Sequence, residues 1–445
     1  MRVKERSGSL RLFLAATLIL QVCGGLAFAA DGDNKQASDP ADVYPDPVEV
    51  SADPADTTPE PTVSQPIAAE GRIDPYRDQD FLKSVPLFGS DWRFSFGGYA
   101  KVDVIHDFSG TGDEQEFVLS TIPVDGNPLP GSYTNMQAAE TRFSFDMRNT
   151  RSRYPDDRFY LEMDFFDKQN ELNPRLRHAY FQYGNLLAGQ TWTLLTELRQ
   201  LPFLLDFAAG ESILGGRTVQ IRWTVANEAR DFAWAFALEN FDDGQIYNPA
   251  DLEGEARADI PRLTTGFTRI WKRLTWSVGG AVTQVRWNGS GSVSDESELA
   301  YTVTTAGRVY LDERNSNFVG FGVGYASGSI TDIITFANGG IPNASIDANG
   351  ELEIAKAWNS QIGAHWKWSP VWSSNVSIAY AHMTDVPVSF DPDFIRTGAS
   401  AHVNVVYTHD ERIKAGLEFM QGERENVSGR DGDAQRLQFS LMYYF

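Results

Sequence analysis

Gln435-Arg-Leu-Gln-Phe-Ser-Leu-Met-Tyr-Tyr-Phe445 closes the chain, and its alternation decides the fold. Leu437, Phe439, Leu441, Tyr443 and Phe445 share one face of an extended strand. Arg436, Gln438 and Ser440 share the other, with Met442 and Tyr444 as softer members. A strand of about ten residues, apolar on one side and polar on the other, suits a wall with lipid outside and water inside. A soluble sandwich strand alternates too, so the reading depends on whether the rest of the chain repeats the pattern.

It does, from Trp92 onward. Residues 92–107 set Phe94, Phe96, Ala100, Val102 and Val104 against Arg93, Ser95, Lys101 and Asp103. Residues 141–148 set Phe143, Phe145 and Met147 against Arg142, Ser144 and Asp146. Residues 158–165 set Phe159, Leu161, Met163 and Phe165 against Tyr160, Glu162 and Asp164. Segments 175–183 and 185–192 follow, joined by a tight Gly184-Asn185 turn. Then come 217–224, 232–239, 263–269, 274–283, 299–311, 318–326, 356–368, 372–383, 396–407 and 413–421. With the last strand they make sixteen, an even number as a closed antiparallel bacterial barrel requires. The fold class expected is all-β: a transmembrane antiparallel β-barrel of 16 strands over 92–445, with both ends periplasmic. Phe143, Phe165, Trp234 and Phe439 should face lipid, and Trp276, Trp366, Trp368, Trp372, Tyr407 and Tyr443 fit interfacial girdles. Turns such as 227–231, 271–273, 312–317, 369–370 and 408–412 are short, whereas 108–138, 193–216, 240–260, 327–354 and 422–433 read as long polar outside loops.

A sixteen-stranded barrel leaves an aqueous channel, so selectivity needs an obstruction lined with fixed charge. Residues 193–216 supply the candidate. Leu194, Leu195, Leu198, Leu201, Phe203, Leu204 and Leu205 are too apolar for bulk water and would pack well if the loop folded inward. Its place, between the fifth and sixth strands, resembles that of the constriction loop of general porins; the competing reading is a surface loop in a subunit contact. Arg142, Arg175, Arg177 and Arg222 lie on polar faces of adjoining strands. A guanidinium fork matches a carboxylate in two-point contact and can replace the water shed by a passing anion. Glu197, Asp206 and Glu211 on the loop would face these arginines and set a transverse field. The arginines have a structural alternative, bridging Glu162, Asp164 or Asp146.

The ends and the charge agree with export. Arg2, Lys4, Arg6 and Arg11 precede an apolar run from Leu12 to Leu20, and Ala27-Phe28-Ala29 is a small-x-small cleavage site, so 1–30 reads as a signal peptide. Leu20-Gln21-Val22-Cys23 is a poor lipoprotein signal because Val22 is bulky; Cys23 is the only cysteine, which leaves the mature chain no disulfide or thiolate metal site. Residues 31–85 interleave prolines with Asp and Glu and read as an acidic, disordered periplasmic leader. The net charge of −22 becomes −25 once the four basic residues and Glu5 are removed, which excludes nucleic acid as a partner. No cofactor is expected. Asp242-Asp243-Gly244 and Asp431-Gly432-Asp433 lack the ligand spacing of a calcium loop, the six histidines are scattered, and no Gly-x-Ser-x-Gly motif occurs.

The segments together resemble the DcaP-type trimeric porins of Gram-negative outer membranes. The likeness rests on Phe96-Gly-Gly-Tyr-Ala-Lys-Val-Asp-Val-Ile-His-Asp107, Thr141-Arg-Phe-Ser-Phe-Asp-Met-Arg148, Leu161-Glu-Met-Asp-Phe-Phe166, Leu176-Arg-His-Ala-Tyr180, Leu187-Ala-Gly-Gln-Thr-Trp192, Pro202 to Phe207 and Val219-Gln-Ile-Arg222. It covers the first third of the barrel; the remainder matches in alternation and in Phe445, which resembles the terminal signal read by the barrel-assembly machinery. The resemblance implies homotrimers among outer-membrane lipids, passive uptake of small anionic solutes including dicarboxylates, and a functional role for Arg142, Arg177 and Arg222. An adhesin or structural anchor with a plugged barrel, or a lipid-modifying enzyme built on a barrel, is the alternative; the enzyme would need a Ser–His pair facing lipid at one rim.

Overall fold

The computed structural model describes residues 81–445 except 82–83, 88–89, 110, 126–130, 150–151, 153–156, 167–172, 209–210, 212, 228, 242–245 and 411. The signal peptide, nearly all of the leader and Asp242-Asp243-Gly244 lie outside the described residues.

Sixteen strands form the wall. They are β1 (Trp92–Asp107), β2 (Arg142–Asn149), β3 (Arg158–Asp164), β4 (Arg175–Tyr183), β5 (Leu186–Trp192), β6 (Arg217–Ala226), β7 (Phe232–Glu239) and β8 (Arg262–Ile270). The second half is β9 (Leu274–Gly289), β10 (Glu296–Tyr310), β11 (Phe318–Ser327), β12 (Lys356–Lys367), β13 (Trp372–Asp385), β14 (Ile395–Thr408), β15 (Ile413–Asn426) and β16 (Asp431–Tyr444). Each pairs antiparallel with its neighbour in sequence, and β1 closes on β16 from Tyr99↔Tyr444 to Asp107↔Arg436. Closure satisfies every edge, the condition for spanning lipid with strands. Among the described residues no helix is long and apolar enough to cross a membrane.

Burial along the strands is inverted relative to a water-soluble protein. In β6, Ile221 is 58% exposed whereas the adjoining Arg222 is 1% exposed. Trp234 and Phe439 are exposed as expected, and Phe143 and Phe165 are half-buried, their rings meeting edge to face. Trp366, Trp368, Trp372 and Tyr443 are exposed near one set of strand ends, where a girdle belongs.

The structure departs from expectation at the outer end. Strands β9, β10, β15 and β16 run well past their expected limits, pairing out to Trp287↔Glu296 and Glu425↔Asp431. The outside connections 290–295 and 427–430 are therefore short, so loop length does not segregate as cleanly as the sequence implied. Tyr133–Gln137, read as loop, pairs with the outer half of β1. Val85-Pro86, at the end of the supposed leader, pairs with Arg93 and Phe94.

The outside loops are not solvated throughout. Phe117, Leu119 and Ile122 of L1 (108–141), Leu214 of L3 (193–216), Ile330, Ile333, Phe336 and Ile341 of L6 (328–355) and Phe390 of L7 (386–394) form one buried cluster. It packs on Ala326, Ala357, Ala381, Met383, Met420 and Ala434 of β11–β16. The obstruction is L3 covered by L1 and L6.

Candidate functional site

Apolar content drives L3 inward, and a series of hydrogen bonds fixes where it lies. The Thr193 N–H donates to the Gly216 carbonyl at 2.9 Å and closes the base of the loop. Glu197 caps the turn Leu198–Gln200 by accepting from the Arg199 N–H, and accepts from Ser277 Oγ of β9 at 2.6 Å. Further on, the Phe203 N–H donates to Asn375 Oδ1 of β13 at 3.1 Å, and Asn404 Nδ2 of β14 donates to the Phe203 carbonyl at 2.8 Å. The Leu205 N–H donates to Glu418 Oε2 of β15 at 2.6 Å. The Leu205 carbonyl accepts from Gln438 Nε2 of β16 at 2.9 Å and from Lys101 of β1. L3 thus follows the inner wall from β9 round to β1.

The facing wall, β2–β6, carries seven arginines and three carboxylates. Arg175 grips Asp164 with two bonds of 2.9 Å. Arg177 reaches Glu162 at 2.6 Å and Asp164 at 2.8 Å, and Arg142 Nε lies 3.5 Å from Glu162. Arg158 and Arg148 both hold Asp146. Arg222 donates to Gln220 Oε1 at 2.8 Å and to the Trp192 carbonyl. A bulge in β4 sets this up. Glu162 pairs with His178 while Met163 pairs with Leu176, so Arg177 is the extra residue. Arg175, Arg177 and His178 consequently all reach the lumen while Leu176 remains exposed on the outer face. Phe207 at the far end of L3 meets Arg175 and Arg177, whose guanidiniums lie 5.2 and 5.3 Å from its ring centre.

Arg217 joins the arginines expected at the site. Its guanidinium rests on Trp192, 4.8 Å from the ring centre, and its Nη1 is buried with no hydrogen-bond partner. Arg142, Arg175, Arg177 and Asp164 are the charges around it. Strict alternation from Arg222 sets residue 217 on the lipid face, whereas its guanidinium rests on Trp192, whose ring centre lies 5.9 Å from that of buried His178.

The three carboxylates expected to face the arginines make other contacts as well. Glu197 is engaged by Arg199 and Ser277. Asp206 Oδ1 accepts the Phe117 N–H at 3.0 Å, and Glu211 accepts the Leu119 N–H at 2.9 Å and Asn338 Nδ2 at 2.8 Å. All three fasten loops to one another or to the wall, because unpaired backbone N–H groups in a buried loop demand acceptors. Burial is the main cause raising the Asp206 and Glu211 carboxyls; Glu418 and Glu116 add to it at Asp206, against His402 and Arg436. A carboxyl raised in the folded state favours its neutral form there. Its contribution is present in acid and is lost as pH climbs from the usual carboxylate range, about 4, through the folded value. The L1–L3 clasp should therefore loosen toward alkaline pH, with larger and noisier open-channel current. Asp206→Asn with Glu211→Gln should flatten that dependence, and a wild-type current independent of pH would contradict it.

Residues 82–445 match the DcaP outer membrane protein family. The chain belongs to that family. Its place is accordingly the outer membrane, and the resemblance read from the first third of the barrel extends over all of it. The crystal structure of the outer-membrane channel DcaP of Acinetobacter baumannii superposes with a TM-score of 0.69 at 18% identity, covering 82% of this chain and 100% of that one. OmpT of Vibrio cholerae gives 0.49 at 11% identity, covering 81% and 99%. OmpF of Salmonella typhi, in complex with daunomycin, gives 0.50 at 8% identity, covering 81% and 100%. At these identities the likeness is one of fold. No curated protein matches the chain. What sets this DcaP-family member's site apart chemically must be read from its own inner wall.

Proposed function

We propose that this protein is a passive, water-filled channel for small hydrophilic solutes that prefers anions, dicarboxylates among them. The surplus of seven guanidiniums over three carboxylates on β2–β6 carries the reading. Arginine stays charged at any physiological pH, so pairing with carboxylates leaves four positive charges along one wall. The chain's overall −22 does not oppose this. Charges farther from the path than a Debye length, about 8 Å, are screened, whereas a solute squeezed beside the wall feels the wall. A dicarboxylate can engage two guanidiniums at once, which favours it over a monoanion. Transport requires no catalysis, and a plugged anchor would carry no ohmic current. Assembly as a homotrimer among outer-membrane lipids completes the proposal.

Reversal potentials across a salt gradient in planar bilayers test it. Replacing Arg142 and Arg222 together by Gln should move the reversal potential toward cation preference, and Arg217→Gln should do so alone. A cation-preferring wild type would overturn the proposal. Phe445 is proposed as the assembly signal. Its ring lies 5.4 Å from Phe96, its N–H donates to the Gly98 carbonyl at 3.2 Å, and it remains 45% exposed. Deleting it should cost packing no more than about 1.5–3 kcal/mol, yet leave the chain stranded in the periplasm. Normal outer-membrane yield would make it an ordinary rim aromatic.

A further inference from the structure

Three arginines stand abreast at the periplasmic end of the inner wall. Arg93 of β1 pairs directly with Arg148 of β2, and Arg148 pairs with Arg158 of β3. Residues opposed in this way hold their Cβ atoms roughly 5 Å apart on one face, and like charges there repel. Asp146 meets two of the three, at 2.7 Å from Arg148 and 2.8 Å from Arg158. The chain enters the barrel at the same place. At Arg93, β2 takes one edge of β1 and Val85-Pro86 takes the other. Arg93 Nε donates to Ser84 Oγ at 2.7 Å, and the same guanidinium donates to the Ser84 carbonyl. Ser84 Oγ in turn donates to the Phe81 carbonyl at 2.6 Å. The Arg148 guanidinium lies 4.3 Å from the centre of the Phe81 ring, and Phe81 is only 7% exposed. Its φ of 45° is one that a bulky residue keeps only where its surroundings hold it. From Pro86 back to Phe81 the chain has therefore crossed β1 on the lumenal side and is seated on β2.

We infer that the carboxylates just before Phe81, those of Asp78 and Asp80, serve as counter-ions to this arginine row, so that the chain's own leader competes with solute anions at the periplasmic mouth. The inference rests on the anion-channel reading above. Connectivity supplies the reach: successive Cα atoms are about 3.8 Å apart, so Asp80 is one step and Asp78 three steps from a residue fixed on Arg148. Charge supplies the match. Asp74, Asp78 and Asp80 against Arg77 give residues 74–80 a net charge of 1 − 3 = −2. A ligand on so short a tether acts at an effective concentration of about millimolar or more. A free anion must therefore outbind it rather than meet the row with its charge unanswered. A dicarboxylate leaving the arginine wall then finds the last cations on its way already engaged, which favours its release into the periplasm.

The test uses the purified protein with its leader intact, in planar bilayers in about 0.1 M potassium chloride, where the Debye length is about 10 Å. Asp78→Asn with Asp80→Asn alters no residue of the barrel wall. It should shift the reversal potential further toward anion preference and lower the half-blocking concentration of succinate about fivefold, the size of a partly exposed ion pair. Phe81→Ala keeps both carboxylates but releases their anchor, and should move both readouts the same way. In about 1 M salt, where the Debye length falls to about 3 Å, wild type and variants should converge. An asparagine variant that matches the wild type in both readouts at low salt would overturn the inference and leave the anion-channel reading standing. Weaker succinate block in Arg93→Gln with Arg148→Gln would then assign the row to the solute itself. A wild type that prefers cations would overturn both readings.

Discussion

Replacing Gly320 with valine is expected to raise single-channel conductance well above that of the wild type, because it unseats L3. Gly320, Gly322 and Gly324 occupy alternate positions on the inner face of β11, where L3 lies directly on the strand. A Cβ at 320 would run into the Gln200 carbonyl, at 322 into the Gln200 side chain and at 324 into Leu214. A side-chain end can swing aside; a backbone carbonyl cannot, so position 320 is the most sensitive. Overpacking of this kind costs roughly 1–3 kcal/mol where the surroundings adjust. The wall is the stiffer party, since β11 is laddered to β10 and β12 along its whole length. The loop gives way, its bonds to Asn375 and Glu418 lengthen, and ions pass farther from the arginines. Conductance should rise while anion preference falls, both read in the same planar-bilayer recording. Unaltered conductance from a correctly folded variant would mean that L3 is not the obstruction.

Those glycines show how the sequence carried information that alternation alone does not use. A strand with glycine at every second position has an empty face, and the physical reason for one inside a barrel is another backbone lying against it. Elsewhere the alternation sufficed. The expected limits of β1, β4 and β7 coincide with the observed ones, because lipid outside and water inside impose opposite demands on successive residues. The demand weakens beyond the bilayer, and there β15 and β16 run on as a hairpin that was read as loop. The Arg177 bulge was hidden for a related reason. A phase slip within a run of polar residues leaves no apolar residue on the wrong face, so Arg175 and Arg177 looked regular and His178 looked outward. L1 and L6 were read as polar from their Gly, Asn and Asp, yet Ile330, Ile333, Ile334 and Phe336 were as apolar as the leucines that marked L3. The carboxylates were the hardest to place. Glu197, Asp206 and Glu211 serve backbone and hydroxyl donors that only the folded loops bring near them, and no spacing in the chain records that.

Asp107→Asn should cost about 3–5 kcal/mol, the penalty for stranding a buried charge. Asp107 on β1 and Arg436 on β16 sit where the barrel closes, paired at 2.8 and 2.9 Å with neither side chain exposed. The same guanidinium donates to Thr111 Oγ1 and to the Asp113 carbonyl at 2.6 Å each, so the pair also ties the start of L1 to the seam. Asparagine would keep the shape and lose the charge, leaving Arg436 without its counter-ion among Phe117 and the buried loops. The first and last strands have only each other to complete the ladder, so weakening their contact weakens closure itself. Unfolding midpoints in urea, followed by tryptophan fluorescence in detergent, should fall for Asp107→Asn and for Arg436→Gln. The double change Asp107→Leu with Arg436→Met separates two origins of that loss. If the cost lies in desolvating a lone charge, removing both charges should restore most of the stability. If the pair is needed to hold L1 through Thr111 and Asp113, the double variant should stay destabilised and its open-channel current should grow noisier. Single variants as stable as the wild type would mean that water reaches the seam and screens the pair.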